Sequence, residues 1–309
     1  MNINIREELS NYFKCDLVDI NFINIYRNDL IPQVSLVKIK NNSDLFKIRF
    51  TNDREYAVFT EAAVCNILKE HYPKSDFFPK IRHIISKHLV IYEYIKGKSI
   101  DKIINELTKE ELDLIGNQLY VYLQKIHAIT SSFVYAFDNN QFINWYSFFE
   151  CKLYTHLREA VNYDFITIEN KNKLIQVLHD NKDKFDINQN ILLHFDIKPA
   201  NIIYNKKEKK IYLIDFEMSR FGDEIFEYSK MLFNKIIYFS PKWDKICNIY
   251  FNRINSEKNI NIFINPRLDW YMFYHYLTYI IYLEKNNILF NPITLKNILY
   301  IYLKNILET

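Results

Sequence analysis

The stretch HFDIKPANIIYNKKEKKIYLID, residues 194–215, contains an acid, an amide and a second acid at short, fixed spacing. Asp196 and Asn201 are five residues apart, and the proline between them is expected to keep the loop from continuing as a helix. Two apolar runs separated by a polar turn then predict a β-hairpin, and Asp215 follows its second strand. Because a hairpin folds back on itself, Asn201 and Asp215 are expected at its open end, just after Asp196. The sequence therefore predicts that three oxygen-bearing side chains converge.

These side-chain types suit phosphoryl transfer from a nucleoside triphosphate. Mg²⁺ takes carboxylate and amide oxygens, which predicts that Asn201 and Asp215 hold the metal. An acceptor hydroxyl must lose its proton while it is aligned with the γ-phosphate, and Asp196 is predicted to be the base that takes it. Asp and Asn are also ordinary turn residues, so the loop alone leaves both interpretations open. The fixed offsets to His194 and Asp215 favour the chemical interpretation.

The loop resembles the catalytic loop of the protein-kinase-like superfamily, and most closely that of the aminoglycoside phosphotransferase and choline kinase branch. Residues 194–196 match its His-x-Asp motif, Asn201 its metal-binding Asn, and residues 214–217 its Ile-Asp-Phe/Trp segment. Residues 222–227, Gly-Asp-Glu-Ile-Phe-Glu, resemble the Gly-Asp-Pro-x-x-Asp that follows, with Glu in place of the final Asp. The resemblance implies an α+β, bilobal fold with a small antiparallel-sheet N-terminal lobe and a larger, mainly helical C-terminal lobe.

Two cations on a predicted strand and an acid on a predicted helix are expected to supply the other half of the site. Residues 34–50 alternate as two strands joined by an Asn-Asn-Ser-Asp turn, and residues 58–70 carry apolar side chains at helical spacing. The resemblance implies that Glu61 on this helix pairs with the strand cation that holds the α- and β-phosphates. Lys47 and Arg49 are two residues apart and share a face, so both remain candidates. Lys47 is preferred because a compact ammonium suits a point-charge contact to phosphate.

Residues 89–98, LVIYEYIKGK, predict an apolar strand that ends at Gly97 and resembles the hinge between the two lobes. The predicted lobes are residues 1–95, which would bind the nucleotide, and residues 96–309, which would carry the catalytic loop and the acceptor site. A strand edge at a cleft offers backbone donors and acceptors to an adenine base. The predicted base contacts are the backbone of Glu93 and Ile95 and the side chains of Ile203 and Ile214.

Further along the chain, the pattern predicts a helical lower lobe. Thr108 and Glu111 form a capping-box signature, and apolar spacing then predicts a helix as far as His127, which is interpreted as packed in the core. The aromatic segment 268–285 predicts another helix, which would wall the acceptor site. His194 is interpreted as a structural support for the loop.

Composition limits the class of protein. The 309 residues are 49% apolar and carry a net charge of +3 without a basic stripe, so no nucleic-acid partner is expected. The four cysteines form no metal pattern, which favours a reducing, cytoplasmic setting. The N-terminus lacks a signal-peptide core, and the most apolar run, residues 271–283, is too short for a membrane span. The sequence leaves the oligomeric state open.

Two departures from the family pattern matter. With only three glycines the chain has no glycine-rich loop, so segment 27–35 is expected to cover the phosphates by other means. Lys198 gives the loop the Asp-x-Lys-Pro-x-Asn form that is typical of Ser/Thr protein kinases, which keeps a protein acceptor open. Against that acceptor, Asp215-Phe216-Glu217 lacks the glycine of Asp-Phe-Gly, and no Ala-Pro-Glu follows.

The sequence therefore predicts an ATP-dependent, Mg²⁺-requiring O-phosphotransferase, with GTP left open as the donor. The expected acceptor is the hydroxyl of an antibiotic-like molecule (an aminoglycoside, a macrolide or a related compound) or of a choline-like molecule. Residues 231–309 carry nine Lys or Arg against five Asp or Glu, so the region expected to wall the acceptor site is not acidic in sum, as a polycationic aminoglycoside would require. Its many aromatic rings suit an amphipathic or quaternary ammonium acceptor. A local acidic pocket for an aminoglycoside remains open. A eukaryotic-like protein kinase and a catalytically silent kinase-fold binding protein are the alternatives.

Overall fold

The computed structural model describes residues 5–16, 19–26, 33–40, 45–50, 55–86, 88–132, 134–135, 141–187, 189–258, 261–288 and 292–308. The chain packs as two compact units, each assembled from separate segments. The first unit contains residues 1–126, 136–140 and 198–220, and the second contains residues 127–135, 141–197 and 221–309. The lobe boundary expected between residues 95 and 96 stays a prediction.

The described strands are β1 Ile20–Tyr26, β2 Gln33–Ile39, β3 Leu45–Phe50, β4 Ile81–Ser86, β5 Leu89–Glu93, β6 Lys98–Ser99, β7 Thr130–Ser131, β8 Val134–Tyr135, β9 Gln141–Phe142, β10 Asn190–Leu193, β11 Ile202–Asn205, β12 Lys210–Leu213 and β13 Arg220–Gly222. The described α-helices are α1 Ile5–Phe13, α2 Glu55–His71, α3 Ile100–Ile103, α4 Lys109–His127, α5 Trp145–Asn162, α6 Ile168–Asp180, α7 Glu224–Tyr238, α8 Pro241–Lys258, α9 Leu268–Lys285 and α10 Pro292–Glu308. Short 3₁₀ turns include Pro199–Asn201 and Phe216–Met218.

The first unit is built on an antiparallel sheet of order β1-β2-β3-β5-β4. Alternation along β3 places Phe46, Ile48 and Phe50 in an apolar core that also contains Leu9 of α1. The residues between them, Lys47 and Arg49, therefore point to the opposite face. The predicted pairing across residues 34–50 is confirmed, although its Asn-Asn-Ser-Asp turn lies outside the described residues.

The predicted hairpin after the catalytic loop is also confirmed, with β11 and β12 paired from Ile202↔Leu213 to Asn205↔Lys210. At its open end the Ile214 N–H donates to the Asn201 C=O at 3.0 Å. The loop before it contains a single 3₁₀ turn, Pro199–Asn201, and does not continue as a helix beyond it. Proline is tolerated at the first position of a helical turn because its missing N–H would have no partner there.

The strand expected to end at Gly97 ends instead at Glu93. Residues 94–97 leave the large sheet, and β6 then pairs with β11 through Ser99↔Ile203 and Lys98↔Tyr204. Gly97 has φ +145, and a Cβ there would lie 2.7 Å from both the Ile203 Cγ2 and the Tyr204 carbonyl oxygen. Glycine is required because the backbone approaches β11 so closely.

The second unit is mainly helical around α9, which coincides with the predicted helix over residues 268–285. Ten of its eighteen residues are buried, as expected for a helix that packs against several neighbours, here α5, α7 and α10. None of the helices in the described ranges combines the length and hydropathy that a membrane crossing requires. The predicted α+β class, with a small antiparallel sheet and a larger helical part, is confirmed.

Candidate active site

Arg49 joins three carboxylates on the polar side of β3. Its Nη1 donates to Glu61 Oε2 at 2.7 Å and to Asp215 Oδ1 at 2.9 Å, and its Nη2 donates to Glu217 Oε2. Glu61 comes from α2, whereas Asp215 and Glu217 come from the turn after β12. The side chain of Arg49 is only 3% exposed. The structure thus brings Glu61 of α2 and Asp215, the predicted metal ligand, to one buried guanidinium group.

Burial and charge act in opposite directions on this cluster. Burial alone would raise the pKa of Glu61, but the charges of Arg49 and Lys47 outweigh it and hold that pKa at about 2. Burial likewise disfavours the charged form of Arg49, yet Glu61, Asp215 and Glu217 together raise its pKa well above the ordinary value. Both groups of the central pair are therefore ionised at neutral pH.

Lys47 is the second cation near Glu61. Its Nζ lies 3.9 Å from Glu61 Oε1, which is too long for a hydrogen bond, and 5.2 Å from the centroid of the Tyr92 ring. Its side chain is 18% exposed. Glu61 therefore lies near both candidate cations, and Arg49 is the closer of the two. The phosphate-binding role of Lys47 stays a prediction.

Asn201 and Asp215 flank the open end of the hairpin, as expected. Asn201 is buried and is the last residue of the first 3₁₀ turn. Asp215 directly precedes the second 3₁₀ turn; its backbone is left-handed (φ +70), and its side chain is 29% exposed. An amide and a carboxylate fit Mg²⁺, which is commonly bound by one or two protein oxygens together with substrate phosphates. Within the described residues no group of three or more His, Cys, Asp or Glu could hold a metal by itself. The assignment of Asn201 and Asp215 to a metal ion stays a prediction.

A cavity of about 280 Å³ lies at the end of β5. Residues 93–96 line one side of it, and the side chains that complete the lining include Phe78 and Tyr212. The Glu93 N–H already donates to the Lys80 C=O at 2.9 Å. Glu93 and Ile95 are thus brought to one cavity, whereas Ile203 and Ile214 are not among the described residues that line it. Their contact with a base stays a prediction.

Asp196 belongs to the second unit, on the loop that follows β10. Its own N–H donates to His194 Nδ1 at 3.4 Å, and His194 is fully buried, as its structural interpretation requires. The preceding residue, Phe195, has a left-handed backbone (φ +72). Asn201 and Asp215 belong to the first unit, so the convergence of the three side chains stays a prediction.

The Gly-Asp-Glu-Ile-Phe-Glu segment supports this loop from α7. A Cβ at Gly222 would overlap the ring of Trp145, so only glycine fits there. Asp223 caps α7 by accepting the Ile225 N–H at 3.0 Å. Glu227 accepts the Phe195 N–H at 2.8 Å through Oε1, and its Oε2 lies 2.5 Å from Nε2 of the buried His127. Gly222, Asp223 and Glu227 therefore each make a local packing or hydrogen-bonding contact that supports the structure.

Sequence reasoning missed Tyr92, which faces the cluster from β5. Lys47 is its partner across the β3–β5 ladder. Burial, followed by the negative charge of Glu61, raises the pKa of the Tyr92 hydroxyl well above its ordinary value. Alternation along β5 predicts that Tyr92 and Ile91 point to opposite faces of the sheet. Only the observed order of the strands shows that Tyr92 lies beside Lys47 of β3.

Solved structures of known proteins share this fold. The chain superposes with TM-score 0.63 and 16% identity on an aminoglycoside phosphotransferase APH(2")-IIa in a ternary complex with streptomycin and ATP, covering 100% of this chain and 97% of the other. For APH(4)-Ia with ADP and hygromycin B the values are 0.65 and 14%, with 98% of each chain covered. For a candidate fructosamine-3-kinase from Haemophilus somnus 129PT they are 0.66 and 14%, with 98% and 96% covered. No curated protein sequence is significantly similar to this chain.

The sequence also matches a family model. The model described as the phosphotransferase enzyme family (APH) covers residues 39–253, which include Arg49, Glu61, the loop 194–201 and Asp215. This match spans more than half of the chain and agrees with the resemblance found in the catalytic loop. The chain belongs to the phosphotransferase enzyme family, within the protein-kinase-like fold.

Proposed function

We propose that this protein is a kinase that transfers the γ-phosphate of ATP to a hydroxyl group of a small molecule. The observation that carries the proposal is the buried cluster in which Arg49 joins the helix acid Glu61 to Asp215, in a chain of the phosphotransferase family. Such a cluster places fixed positive charge beside a carboxylate that suits a metal ion, as transfer from a triphosphate requires.

In this proposal Asp196 accepts the proton of the acceptor hydroxyl and orients it for in-line attack. Asn201 and Asp215 would hold Mg²⁺, which, when bound, neutralises charge on the triphosphate. Lys47 would steady the α- and β-phosphates from the partly exposed position beside Glu61. Glu217 contacts Arg49 and would help to keep that guanidinium in place.

The base of the nucleotide would lie at the end of β5. Because the Glu93 N–H is already donated to Lys80, Glu93 would use its carbonyl oxygen, and Ile95 would use its N–H. Ile203 and Ile214, both half-buried, would pack on the faces of the base. The ATP and ADP complexes of two fold relatives support adenine as the base, and GTP is the competitor to include in the assay.

The acceptor class is proposed to be a hydroxylated antibiotic or a related amino sugar. Two of the fold relatives named above were solved with streptomycin or hygromycin B, which supports this choice. The excess of Lys and Arg in residues 231–309 counts against a polycationic aminoglycoside, and the many aromatic rings of this region would suit a choline-like acceptor, which is therefore included as a second arm.

The test is ADP release by purified protein with Mg²⁺-ATP and a panel of aminoglycosides, macrolides, amino sugars and choline. Asp196→Asn is expected to lower kcat by about 10²–10⁴-fold while the ATP Kd stays nearly unchanged. Asp183→Asn, which alters an exposed acid of the same unit, serves as the control. Substantial turnover by Asp196→Asn would refute the assignment of the base. Labelled phosphate recovered in protein would favour a protein kinase, and wild-type protein without any turnover would favour a silent binding protein.

A further inference from the structure

Helix α7 contacts the backbone on both sides of Asp196. Before it, the Phe195 N–H donates to Glu227 Oε1 at 2.8 Å. After it, Asn234 Nδ2 donates to the Ile197 C=O at 2.7 Å. The two anchoring side chains and the Ile197 side chain are all at least nine-tenths buried, so water does not compete easily for these bonds.

The spacing of the two anchors fits the loop. Residues 227 and 234 are two helical turns apart, so they share one face of α7 and are separated by about 10.5 Å along its axis. Three residues, from the N–H of Phe195 to the C=O of Ile197, span at most about 10 Å, so side chains two helical turns apart can reach both ends. The helix therefore holds the two ends of the segment whose middle residue is Asp196.

The backbone before Asp196 needs this support. Phe195 has φ +72, a backbone region that a non-glycine residue keeps only when the surrounding structure fixes it. Its ring stacks on Phe226 of α7, with centroids 4.6 Å apart and planes at 11°. Phe226 and Glu227 thus fix the residue before Asp196, and Asn234 holds the peptide after it.

We propose that Asn234 is a positioning residue that sets the direction of the Asp196 carboxylate by holding the Ile197 carbonyl. The proposal rests on the proposed function, in which Asp196 accepts the acceptor proton. The position requires a short, neutral side chain that donates a hydrogen bond. Asp would present an acceptor to the carbonyl, and Leu has a similar shape but no donor, so both substitutions remove the anchor.

The test compares Asn234→Leu and Asn234→Asp with Ser229→Ala, a control on the same helix. Ser229 is equally buried, and its hydroxyl bonds to the Phe226 C=O and to His275 rather than to the catalytic loop. Both Asn234 variants are expected to lower kcat by about 10²-fold with the ATP KM within about twofold, because small displacements of a reacting group are costly. Ser229→Ala is expected to lower Tm while it leaves kcat within about twofold.

Amide hydrogen exchange of the peptide that spans residues 194–198 gives a readout that needs no activity. In the ligand-free protein, exchange in this peptide is expected to be faster in both Asn234 variants and unchanged in Ser229→Ala. A kcat equal to wild type in the Asn234 variants, an equal loss in Ser229→Ala, or unchanged exchange would overturn the proposal. Wild-type protein without turnover on any acceptor would defeat the proposed function instead, and the exchange comparison would still decide whether Asn234 anchors the loop.

Discussion

Arg49 neutralises the carboxylates of Glu61, Asp215 and Glu217 in the first unit. Replacing it with Met leaves Glu61, which is fully buried, without its hydrogen-bonded cation. Removing one partner of a buried ion pair typically costs about 3–5 kcal/mol because the other charge remains buried. We expect the free energy of unfolding of Arg49→Met to fall by about that amount, as measured by urea denaturation at pH 7.

Lys47→Met is the matched control on the same face of β3. Its Nζ is 3.9 Å from Glu61 and makes only a long ion pair, so the loss is expected to stay below about 1 kcal/mol. Combining Arg49→Met with Glu61→Gln is expected to recover part of the loss, since the uncompensated charge is then absent. Equal losses for the two single variants would contradict the central position of Arg49.

The low pKa of Glu61 predicts how the free energy of unfolding depends on pH. Its folded pKa of about 2 lies below the ordinary value near 4.5, so ionised Glu61 stabilises the fold fully above the ordinary value. That contribution is lost as the pH falls from about 5 towards 2. The difference in unfolding free energy between wild type and Glu61→Gln should therefore be constant from pH 6 to 8 and shrink below pH 5. Urea denaturation at several pH values checks this, and a difference that grows on acidification would count against it.

At the scale of single elements, the start of α4 is stabilised by the capping box that the sequence predicts. The Thr108 hydroxyl accepts the Glu111 N–H at 3.2 Å, and the Glu111 carboxylate accepts the Thr108 N–H at 2.9 Å. Thr108→Ala removes the first bond and is expected to cost about 1 kcal/mol in unfolding free energy. Thr108→Ser keeps the hydroxyl and should cost little. Thermal and urea unfolding measure both, and equal losses in the two variants would argue against the capping box.

Elements with a sustained period were predictable from the sequence. The hairpin of β11 and β12 and the helix α9 follow from spacing within a single segment. The end of β5 was not predictable, since Tyr94 and Ile95 continue its apolar pattern. The strand ends where the chain must turn to bring Gly97 against β11, and that constraint comes from a segment about a hundred residues away.

In the candidate site, too, the spacing within one segment was predictable, whereas contacts between distant segments were not. Loop spacing identified Asp196, Asn201 and Asp215 as candidates, but alternation puts Lys47 and Arg49 on one face and cannot rank them. Only the placement of α2 decides that Arg49 is closer to Glu61. Similarly, the Asn234 contact with Ile197 joins residues 37 positions apart and has no local signature.

At the scale of the whole molecule, the first unit is completed by a part of the chain that is distant in sequence. Segment 198–220 belongs to the first unit, where the Leu213 N–H donates to the Phe77 C=O at 2.8 Å. The Ile211 N–H donates to Gln118 Oε1 at 2.9 Å in the same way. The carboxylates that neutralise Arg49 also come from this segment, so the first 126 residues alone would leave buried polar groups unpaired.

We therefore expect a fragment of residues 1–126 to lack a cooperative unfolding transition. A fusion that appends residues 198–220 through a flexible Gly/Ser linker restores these hydrogen bonds and ion pairs and should unfold cooperatively. A fusion with a scrambled segment of the same composition is the matched control, because it adds the same length and charge without the register of β11 and β12. Urea denaturation followed by circular dichroism distinguishes the three proteins. Cooperative unfolding of the bare fragment would show that the unit does not depend on the returning segment.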